Sequence, residues 1–393
     1  MKKPTIRAGI VGSGYAAAFH FAALSKVSCA NVEVVGVYSP VPAHRESYAR
    51  ERGIHPAESL EALMAQADVV HVCTPPRTHE AITIAGLERD KFVICEKVLT
   101  GFFGEDIDGF HGDTFPKQVA LDAALASLDR ILQSEKRSRG KLLYAENWIY
   151  APSIQREREI IEKTGAQLLW IQAEESHSGS HGKLYGRWTA YGGGALVGMG
   201  CHPLTAALYL KRVEGRAHNG RPIQPKSVSA RAHALTRNPN FRSEGHIRCD
   251  YHDIDDVASV HVEFDDGTVA DIRASTIVIG GIRNYLHVAA NNHVTFCNIN
   301  PNSAMLTYNP REESFRDVYT VEKISTKQGW TCISPDEDWF TGYPQEMEAF
   351  YRAVALGEQP ESNSALAADA VSTLYSAHLS SESHGHAVAV RTY

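Results

Sequence analysis

Apolar runs and helical segments alternate along the first quarter of the chain. Runs of strand length occupy residues 5–11, 32–37, 68–73 and 92–95. Between them, residues 16–27 and 79–87 place apolar side chains at the spacing of one helix face. Strands that are separated by helices predict a parallel, doubly wound sheet. We therefore predict an α/β domain of the Rossmann type over residues 1–145.

The pattern changes in residues 146–393. Strand-like runs now follow one another without helices between them, at residues 167–173, 227–235, 258–264, 268–277, 286–290 and 294–297. Turn sequences at 265–267 and 291–292 are typical of hairpins. We predict an α+β domain with a large, mostly antiparallel open sheet. Two helices, at 344–355 and 365–379, are predicted at the end of the chain. They could pack back on the first domain.

Composition and charge exclude several classes of function. The 393 residues carry a net charge of −7, so no bulk attraction to nucleic acid or an anionic membrane is expected. No apolar run approaches the ~20 residues that span a bilayer, and no signal peptide precedes the first strand. The seven cysteines are scattered without a C-x-x-C pair. That spacing favours reduced thiols in the cytoplasm over a disulfide framework or a metal site.

A glycine motif follows the first predicted strand and opens a helix. Gly12, Gly14 and Ala17, with Tyr15 and Ala16 between them, fit G-x-G-x-x-A. The first glycine allows a tight turn, and the second lets the backbone approach a pyrophosphate. The small Ala17 permits close packing of helix and strand, so the helix amino terminus can hold the pyrophosphate. The motif predicts a dinucleotide site.

The ends of the next strands do not identify the dinucleotide. An acidic residue that holds the ribose of NAD is expected about 20 residues on, but the second strand ends at Ser39. Ser39 could bond ribose or phosphate, and Arg45 could meet the 2′-phosphate of NADP. NAD is our prediction, with NADP left open. The third strand ends in a turn with Thr74, Pro75 and His79, which we place beneath the cofactor.

Glu96 and Lys97 follow the fourth strand directly. Open α/β sheets bind ligands at the carboxyl ends of their strands. A lysine that is partly desolvated beside a nicotinamide can have its pKa lowered towards neutrality and exchange a proton with a substrate hydroxyl. On these residues alone, an ordinary surface ion pair is the better interpretation.

Together these motifs resemble the Gfo/Idh/MocA family of NAD(P)-dependent sugar and cyclitol oxidoreductases, over nearly the whole chain. Motifs similar to those of the family are Gly12 to Ala17, Cys73 to Pro76 with His79, Glu96-Lys97, Ala145 to Trp148, Tyr150 to Pro152, Gly192 to Leu196 and Met199 to Pro203. Val98 stands where the family usually has proline. The resemblance implies a Rossmann domain for the cofactor and a second domain whose sheet covers the substrate and builds a homo-oligomer, a dimer or a tetramer.

The resemblance also implies roles for single residues. Lys97 and His202 would flank the reacting carbinol as acid and base. Asn147 and Trp148 would border the cofactor, and Tyr150 the substrate. One position departs from the family, which usually has an aspartate four residues before the histidine, where this chain has Gly198. His202 should then be a weaker base, unless Glu174, Glu175 or an acidic group of the substrate orients it, and Lys97 becomes the principal acid/base.

The segment 174–188 is the predicted substrate loop. It carries two histidines, two cations and an aromatic residue among small residues, namely His177, His181, Lys183, Arg187 and Trp188. Polar donors and an aromatic platform suit a sugar, and the cations could bind an anionic group. A solvated loop is the alternative, and a metal site is disfavoured because no third ligand is evident.

Three functions remain as hypotheses. The first is a dehydrogenase that oxidises a ring carbinol of a sugar, sugar acid or cyclitol. The second is an NAD-dependent glycoside hydrolase, as in a branch of the family. Such enzymes oxidise C3 transiently, eliminate the aglycone, add water and reduce again, here on an anionic glycoside such as a sulfoquinovoside. The third, a dinucleotide-sensing binding protein, is disfavoured because Lys97 and His202 are retained.

Overall fold

A five-stranded parallel sheet forms the first domain of the computed structural model, which describes residues 3–105, 107–180, 182, 184–300, 305–324 and 326–393. Its strands are β1 (Thr5–Val11), β2 (Asn31–Tyr38), β3 (Val69–Val72), β4 (Phe92–Glu96) and β5 (Leu142–Ala145). They lie in the order β2-β1-β3-β4-β5, and all neighbours are parallel. The predicted doubly wound sheet is confirmed.

Helices connect the strands of this sheet and bury it. They are α1 (Tyr15–Leu24), α2 (Pro42–Arg52), α3 (Leu60–Gln66), α4 (His79–Leu87) and α5 (Lys117–Arg137). β3 is buried along its whole length, as expected of a central parallel strand. The chain leaves β1 towards β2 on one side and returns to β3 on the other. The strand order therefore reverses beside β1, where a crevice for ligands forms outside the carboxyl ends.

A seven-stranded sheet forms the second domain, in the order β11-β10-β6-β9-β8-β7-β14. Its strands are β6 (Leu168–Ser176), β7 (Pro225–His233), β8 (Val257–Phe264), β9 (Val269–Ser275), β10 (Arg283–Ala290), β11 (Val294–Asn298) and β14 (Val388–Ala389). β6 and β9 pair in parallel, and the other neighbours are antiparallel. The mostly antiparallel sheet that the sequence predicts is thus confirmed.

A small hairpin and seven further α-helices are also present in the described part of the chain. The hairpin pairs β12 (Leu306–Asn309) with β13 (Gly329–Cys332). The helices are α6 (Pro152–Thr164), α7 (Trp188–Tyr191), α8 (Ala195–Gly198), α9 (Cys201–Asn219), α10 (Glu337–Thr341), α11 (Tyr343–Leu356) and α12 (Ser364–Glu382). Within the described ranges, no helix has both the length and the apolar character that a membrane span requires.

The last helices contact the first domain. The ring of Tyr343, which begins α11, stacks on Phe19 of α1 with centroids 4.8 Å apart. Ser28 donates from its hydroxyl to Glu348 of α11 at 2.9 Å. α12 packs on α5 as well as on α9. One continuous apolar core therefore extends through both sheets, and the crevice at the carboxyl ends lies between them.

Candidate active site

The glycine turn after β1 has the shape that a pyrophosphate needs. Gly12 has a φ of +110°, and a Cβ there would lie 2.2 Å from the carbonyl oxygen of Cys73. At Gly14 an added Cβ would meet nothing within 4 Å, so the space in front of the turn is open. No side chain caps α1 at Gly14, and Ala17 is fully buried. Backbone donors and space thus coincide at the amino end of α1, which suits a phosphate group.

The two residues between these positions differ in exposure. Tyr15 is largely exposed and donates its hydroxyl to Glu322 at 2.7 Å. It therefore lies at the rim of the crevice, where the two domains meet. Ala16 packs against the cluster of Val37 and Tyr48, which helps to hold the turn in place.

The ends of β2 and β3 border the same crevice. Arg45 donates to the Ser39 carbonyl at 3.3 Å, so both candidates for the ribose end lie together. The ring nitrogens of His79 lie 2.8 Å from the carbonyl oxygens of Thr74 and Val98. His79 therefore connects the segments that follow β3 and β4. Pro75 lies in the turn after β3.

Lys97 projects from the end of β4 towards the second domain. Its Nζ donates to the carbonyl oxygen of Gly198 at 2.8 Å. Its backbone N–H donates to the Glu96 carboxylate at 3.1 Å, and the Lys97–Val98 peptide bond is cis. Glu96 and Lys97 therefore do not form a surface pair, since Lys97 reaches the helix turn that precedes α9.

The charge state of Lys97 differs from the sequence-based expectation. Burial does favour the neutral amine, but the carboxylates of Glu175, Glu146 and Glu96 outweigh it and raise the pKa of Lys97. The expectation of a lowered pKa considered desolvation and not these carboxylates. Lys97 is an ammonium in this protein, and it must lose a proton before it can act as a base.

His202, the second residue of α9, lies between two carboxylates. Its Nδ1 bonds the buried carboxylate of Glu146, and its Nε2 lies 3.9 Å from that of Glu175. The indole of Trp148 stacks on the imidazole with centroids 5.8 Å apart. A carboxylate on Nδ1 fixes the tautomer and the orientation of the ring, so Nε2 is the nitrogen that is left to exchange a proton.

Glu146 is the functional residue that sequence reasoning missed. Glu174 and Glu175 were the partners expected for His202, and position 146 was named only within a motif. Successive residues of β6 point to opposite faces, so Glu175 faces His202 while Glu174 accepts from Tyr285 at 2.9 Å. An acidic residue directly after β5, a strand end at the ligand edge, was the signal that could have revealed Glu146.

Tyr185 fills the space where relatives are expected to have an aspartate. A Cβ at Gly198 would lie 2.9 Å from the ring and the hydroxyl of Tyr185. A larger residue here would force Tyr185 to shift, and the carboxylate that orients His202 comes from Glu146 instead.

The residues of the predicted substrate loop differ in their environment. His177 is buried, and its Nδ1 accepts from the Gly179 amide at 3.0 Å. Arg187 is exposed. Trp188 is 2% exposed, and its indole donates to the Phe102 carbonyl at 2.8 Å, so it serves packing rather than an open aromatic platform. His181 and Lys183 lie outside the described residues.

Two junction residues also have structural partners. Asn147 donates to the Thr341 carbonyl at 2.7 Å, and the buried Tyr150 hydroxyl accepts from the Ser362 amide at 3.1 Å. Both side chains fasten the junction to the carboxyl-terminal segment. Of the three junction residues predicted to border the cofactor or the substrate, Trp148 stacks on His202.

Comparisons with known proteins concern the family and the fold of the chain. The profile of an oxidoreductase family with an NAD-binding Rossmann fold, GFO_IDH_MocA, matches residues 6–101. The GFO/IDH/MocA C-terminal domain matches residues 165–292. The structure of GenD2 from gentamicin A biosynthesis in complex with NAD superimposes with a TM-score of 0.79 at 18% identity, over 100% of this chain and 97% of that one. At this identity the likeness concerns the fold.

Two relatives match about a quarter of this chain in sequence. Glucose-6-phosphate 3-dehydrogenase of Bacillus subtilis is 33% identical over 89 residues, which are 23% of this chain and 25% of that protein. Inositol 2-dehydrogenase 1 of Saccharopolyspora erythraea is 34% identical over 99 residues, 24% of this chain and 29% of that protein. The matches thus span between a quarter and a third of each relative.

Proposed function

Because the chain belongs to the Gfo/Idh/MocA oxidoreductase family, we propose that it oxidises a ring carbinol of a sugar, sugar acid or cyclitol with NAD. The observation that carries the proposal is the convergence of Lys97 and His202. Glu175 contacts His202 and also raises the pKa of Lys97, so both proton-transfer groups face the same part of the crevice. That part lies at the carboxyl end of β4, beside the glycine turn.

The residues of the first domain fit the dinucleotide. Gly12 and Gly14, with the amino end of α1, would hold the pyrophosphate, and Ser39 and Arg45 would meet the adenosine ribose. Bound NAD supplies the hydride acceptor. Whether NADP is also accepted depends on Arg45, which has the charge for a 2′-phosphate.

The protein's own part of the chemistry is proton transfer. The neutral amine of Lys97, or the imidazole of His202, takes the hydroxyl proton while the carbinol carbon loses hydride. Glu146 stabilises the imidazolium that would form on His202. Because its pKa is raised, Lys97 holds a proton and cannot accept another until it has lost its own. Until then, His202 is the group that can accept the hydroxyl proton. The two residues therefore share the proton transfer.

The test is turnover of chemically matched alcohols. The enzyme is mixed with NAD and with glucose 6-phosphate, myo-inositol or UDP-N-acetylglucosamine, and NADH absorbance is followed. For a substrate that reacts, Lys97→Met and His202→Ala should each lower kcat by about 10²–10⁴, the usual contribution of a positioned acid or base. Near-normal hydride transfer in both variants would show that the assignment is wrong.

A glycoside hydrolase with an internal redox cycle is the alternative. It is favoured by the two carboxylates on His202, since elimination and water addition need more acid and base groups than one oxidation. The distinguishing assay uses a nitrophenyl glycoside without added cofactor. Release of nitrophenol over many turnovers, with no accumulation of NADH, supports this alternative over a net dehydrogenase.

A further inference from the structure

A chain of buried hydrogen bonds ends at Glu96, the residue before Lys97. His20 Nε2 lies 3.1 Å from the Glu96 carboxylate. His20 Nδ1 lies 2.9 Å from His71 Nδ1, and His71 Nε2 lies 3.0 Å from the Tyr351 hydroxyl. The two imidazoles and the phenol are each 0% exposed. Four elements, β4, α1, β3 and α11, therefore contribute one member each, and the three rings are out of contact with solvent.

The Tyr351 end determines the direction of these hydrogen bonds. Among the described residues, His71 is the one hydrogen-bond partner of the Tyr351 hydroxyl, and a buried hydroxyl without an acceptor is costly. Tyr351 therefore donates to His71 Nε2. Burial lowers the pKa of His71 well below its ordinary value, so this ring has a single proton, which is on Nδ1. His71 then donates to His20 Nδ1, and His20 donates from Nε2 to Glu96.

The Glu96 carboxylate is held from two sides. One oxygen accepts from His20 Nε2, and the other accepts from the backbone N–H of Lys97, both at 3.1 Å. Burial favours the neutral acid, but the hydrogen bond from His20 and the charge of Lys97 help to outweigh it and lower the pKa of Glu96. An ionised carboxylate accepts hydrogen bonds and donates none, which agrees with the direction that begins at Tyr351.

His71 occupies a position where an apolar residue is expected. β3 is a central parallel strand, and Val69, Val70 and Val72 beside His71 are apolar. Replacing both partners of a buried hydrogen bond by apolar groups of the same shape can be nearly neutral or stabilising. Packing alone therefore does not account for the pair of imidazoles, whereas a carboxylate that must be held at the end of β4 does.

We propose that Tyr351, His71 and His20 are positioning residues that hold Glu96, and through it the backbone of Lys97, in the place that proton transfer requires. The inference rests on the proposed function for the role of Lys97. No proton moves along the chain, because each ring keeps the tautomer that its neighbour imposes. The three rings act by orienting the carboxylate to which the Lys97 amide is bonded.

Removal of the donor on His20 should release this carboxylate. Glu96 would then be buried without the hydrogen bond that favours its charge, so its pKa should rise. The Lys97 amide would lose an acceptor that is fixed in space. A misplacement of about 1 Å at a reacting group can lower a rate about 10²-fold, so we expect the loss in kcat rather than in KM for the substrate.

Nitrogen NMR of the histidine rings in unliganded protein tests the direction of the chain. We expect a neutral His20 with its proton on Nε2 and a neutral His71 with its proton on Nδ1, between about pH 6 and 8. The signals are assigned with His20→Gln and His71→Gln. A proton on the other nitrogen of either ring, or on both nitrogens, would overturn the proposal.

Three variants separate positioning from packing. His20→Leu removes the donor to Glu96. His20→Gln restores one, because an amide can accept from His71 and donate to Glu96 at the same time. His293→Leu is the matched control, since it removes the imidazole that bonds another buried carboxylate, that of Glu157, at 2.8 Å. All three are compared with the wild type by carboxyl carbon NMR of glutamate-labelled protein, by thermal unfolding and by turnover.

The Glu96 titration should move to higher pH in His20→Leu and keep its wild-type midpoint in His20→Gln and His293→Leu. With a substrate that reacts, kcat should fall about tenfold to a hundredfold in His20→Leu with KM unchanged, and His20→Gln should recover most of it. An unchanged Glu96 titration in His20→Leu, or equal kcat in His20→Leu and His293→Leu, would show that the histidines serve packing alone.

The outcome separates the positioning chain from the proposed function. If the tautomers and the Glu96 titration are as expected but no carbinol reacts, the hold on Glu96 stands and the proposed function is wrong. If carbinols are oxidised with the wild-type kcat in His20→Leu, the function stands and the positioning role is wrong.

Discussion

Glu146→Gln tests whether a buried carboxylate makes His202 a competent base. Gln keeps the size of the side chain and an acceptor for the Nδ1 proton, but it removes the charge. A hydrogen bond to a charged group contributes about 1.5–3 kcal/mol, against about 0.5–1.5 for a neutral pair. The imidazolium of His202 should thus lose about 1–2 kcal/mol. At 1.36 kcal/mol per tenfold, kcat should fall roughly 5- to 30-fold.

The chain offers a matched control for this variant. Glu157 of α6 is also fully buried, and it bonds His293 Nε2 at 2.8 Å, away from the crevice. Both Glu146→Gln and Glu157→Gln are compared with the wild type for kcat by NADH absorbance and for thermal unfolding. We expect lower kcat in Glu146→Gln alone. Equal kcat in all three proteins, or equal losses in both variants, would refute the reasoning.

Three further outcomes follow from the same geometry. Gly14→Ala should weaken NAD binding in calorimetry without lowering the Tm, because its Cβ enters open space, whereas Gly12→Ala should lower the Tm because its Cβ meets backbone. Gly198→Ala should cost about 1–3 kcal/mol in denaturant unfolding through its clash with Tyr185, and Tyr185→Leu should recover part of that loss. Burial raises the pKa of Glu346 well above its ordinary value, so the folded protein keeps a proton that the unfolded chain releases above about pH 4.3. Wild-type stability therefore falls as pH rises, and Glu346→Gln should gain on the wild type between pH 5 and pH 8, by at most about 1.4 kcal/mol per pH unit.

The first domain could be predicted from the sequence because its strands are buried on both faces. Apolar runs such as 68–73 and 92–95 then stand out from the helices between them, and their order determines which edge carries the ligand. β5 has only four residues and was not predicted, since so short a run is ambiguous. The hairpin of β12 and β13 was missed because Tyr308 and Trp330 are exposed, which leaves no alternation to detect.

The parts of the candidate site that come from one segment could be predicted from the sequence, and those made by contacts between segments could not. Gly12 and Lys97 follow strands directly, so position alone indicates their role. His20 was interpreted as a packing residue of a helix, and its partner on β3 belongs to a run that was read only as a strand. The pairing of Glu146 with His202 joins residues 56 positions apart, a distance over which periodicity carries no information.

The charge of the site bears on the substrate as well as on the base. Glu96, Glu146 and Glu175 all raise the pKa of Lys97, so this end of the crevice has a negative potential that favours cations. A phosphate, sulfonate or carboxylate placed beside the reacting carbon would be repelled by the same field. We therefore expect an anionic group of a substrate to lie away from Lys97 and His202. Among chemically matched alcohols, those with a neutral reacting ring should be oxidised with the higher kcat/KM, and salt should reduce that preference because it screens the carboxylates.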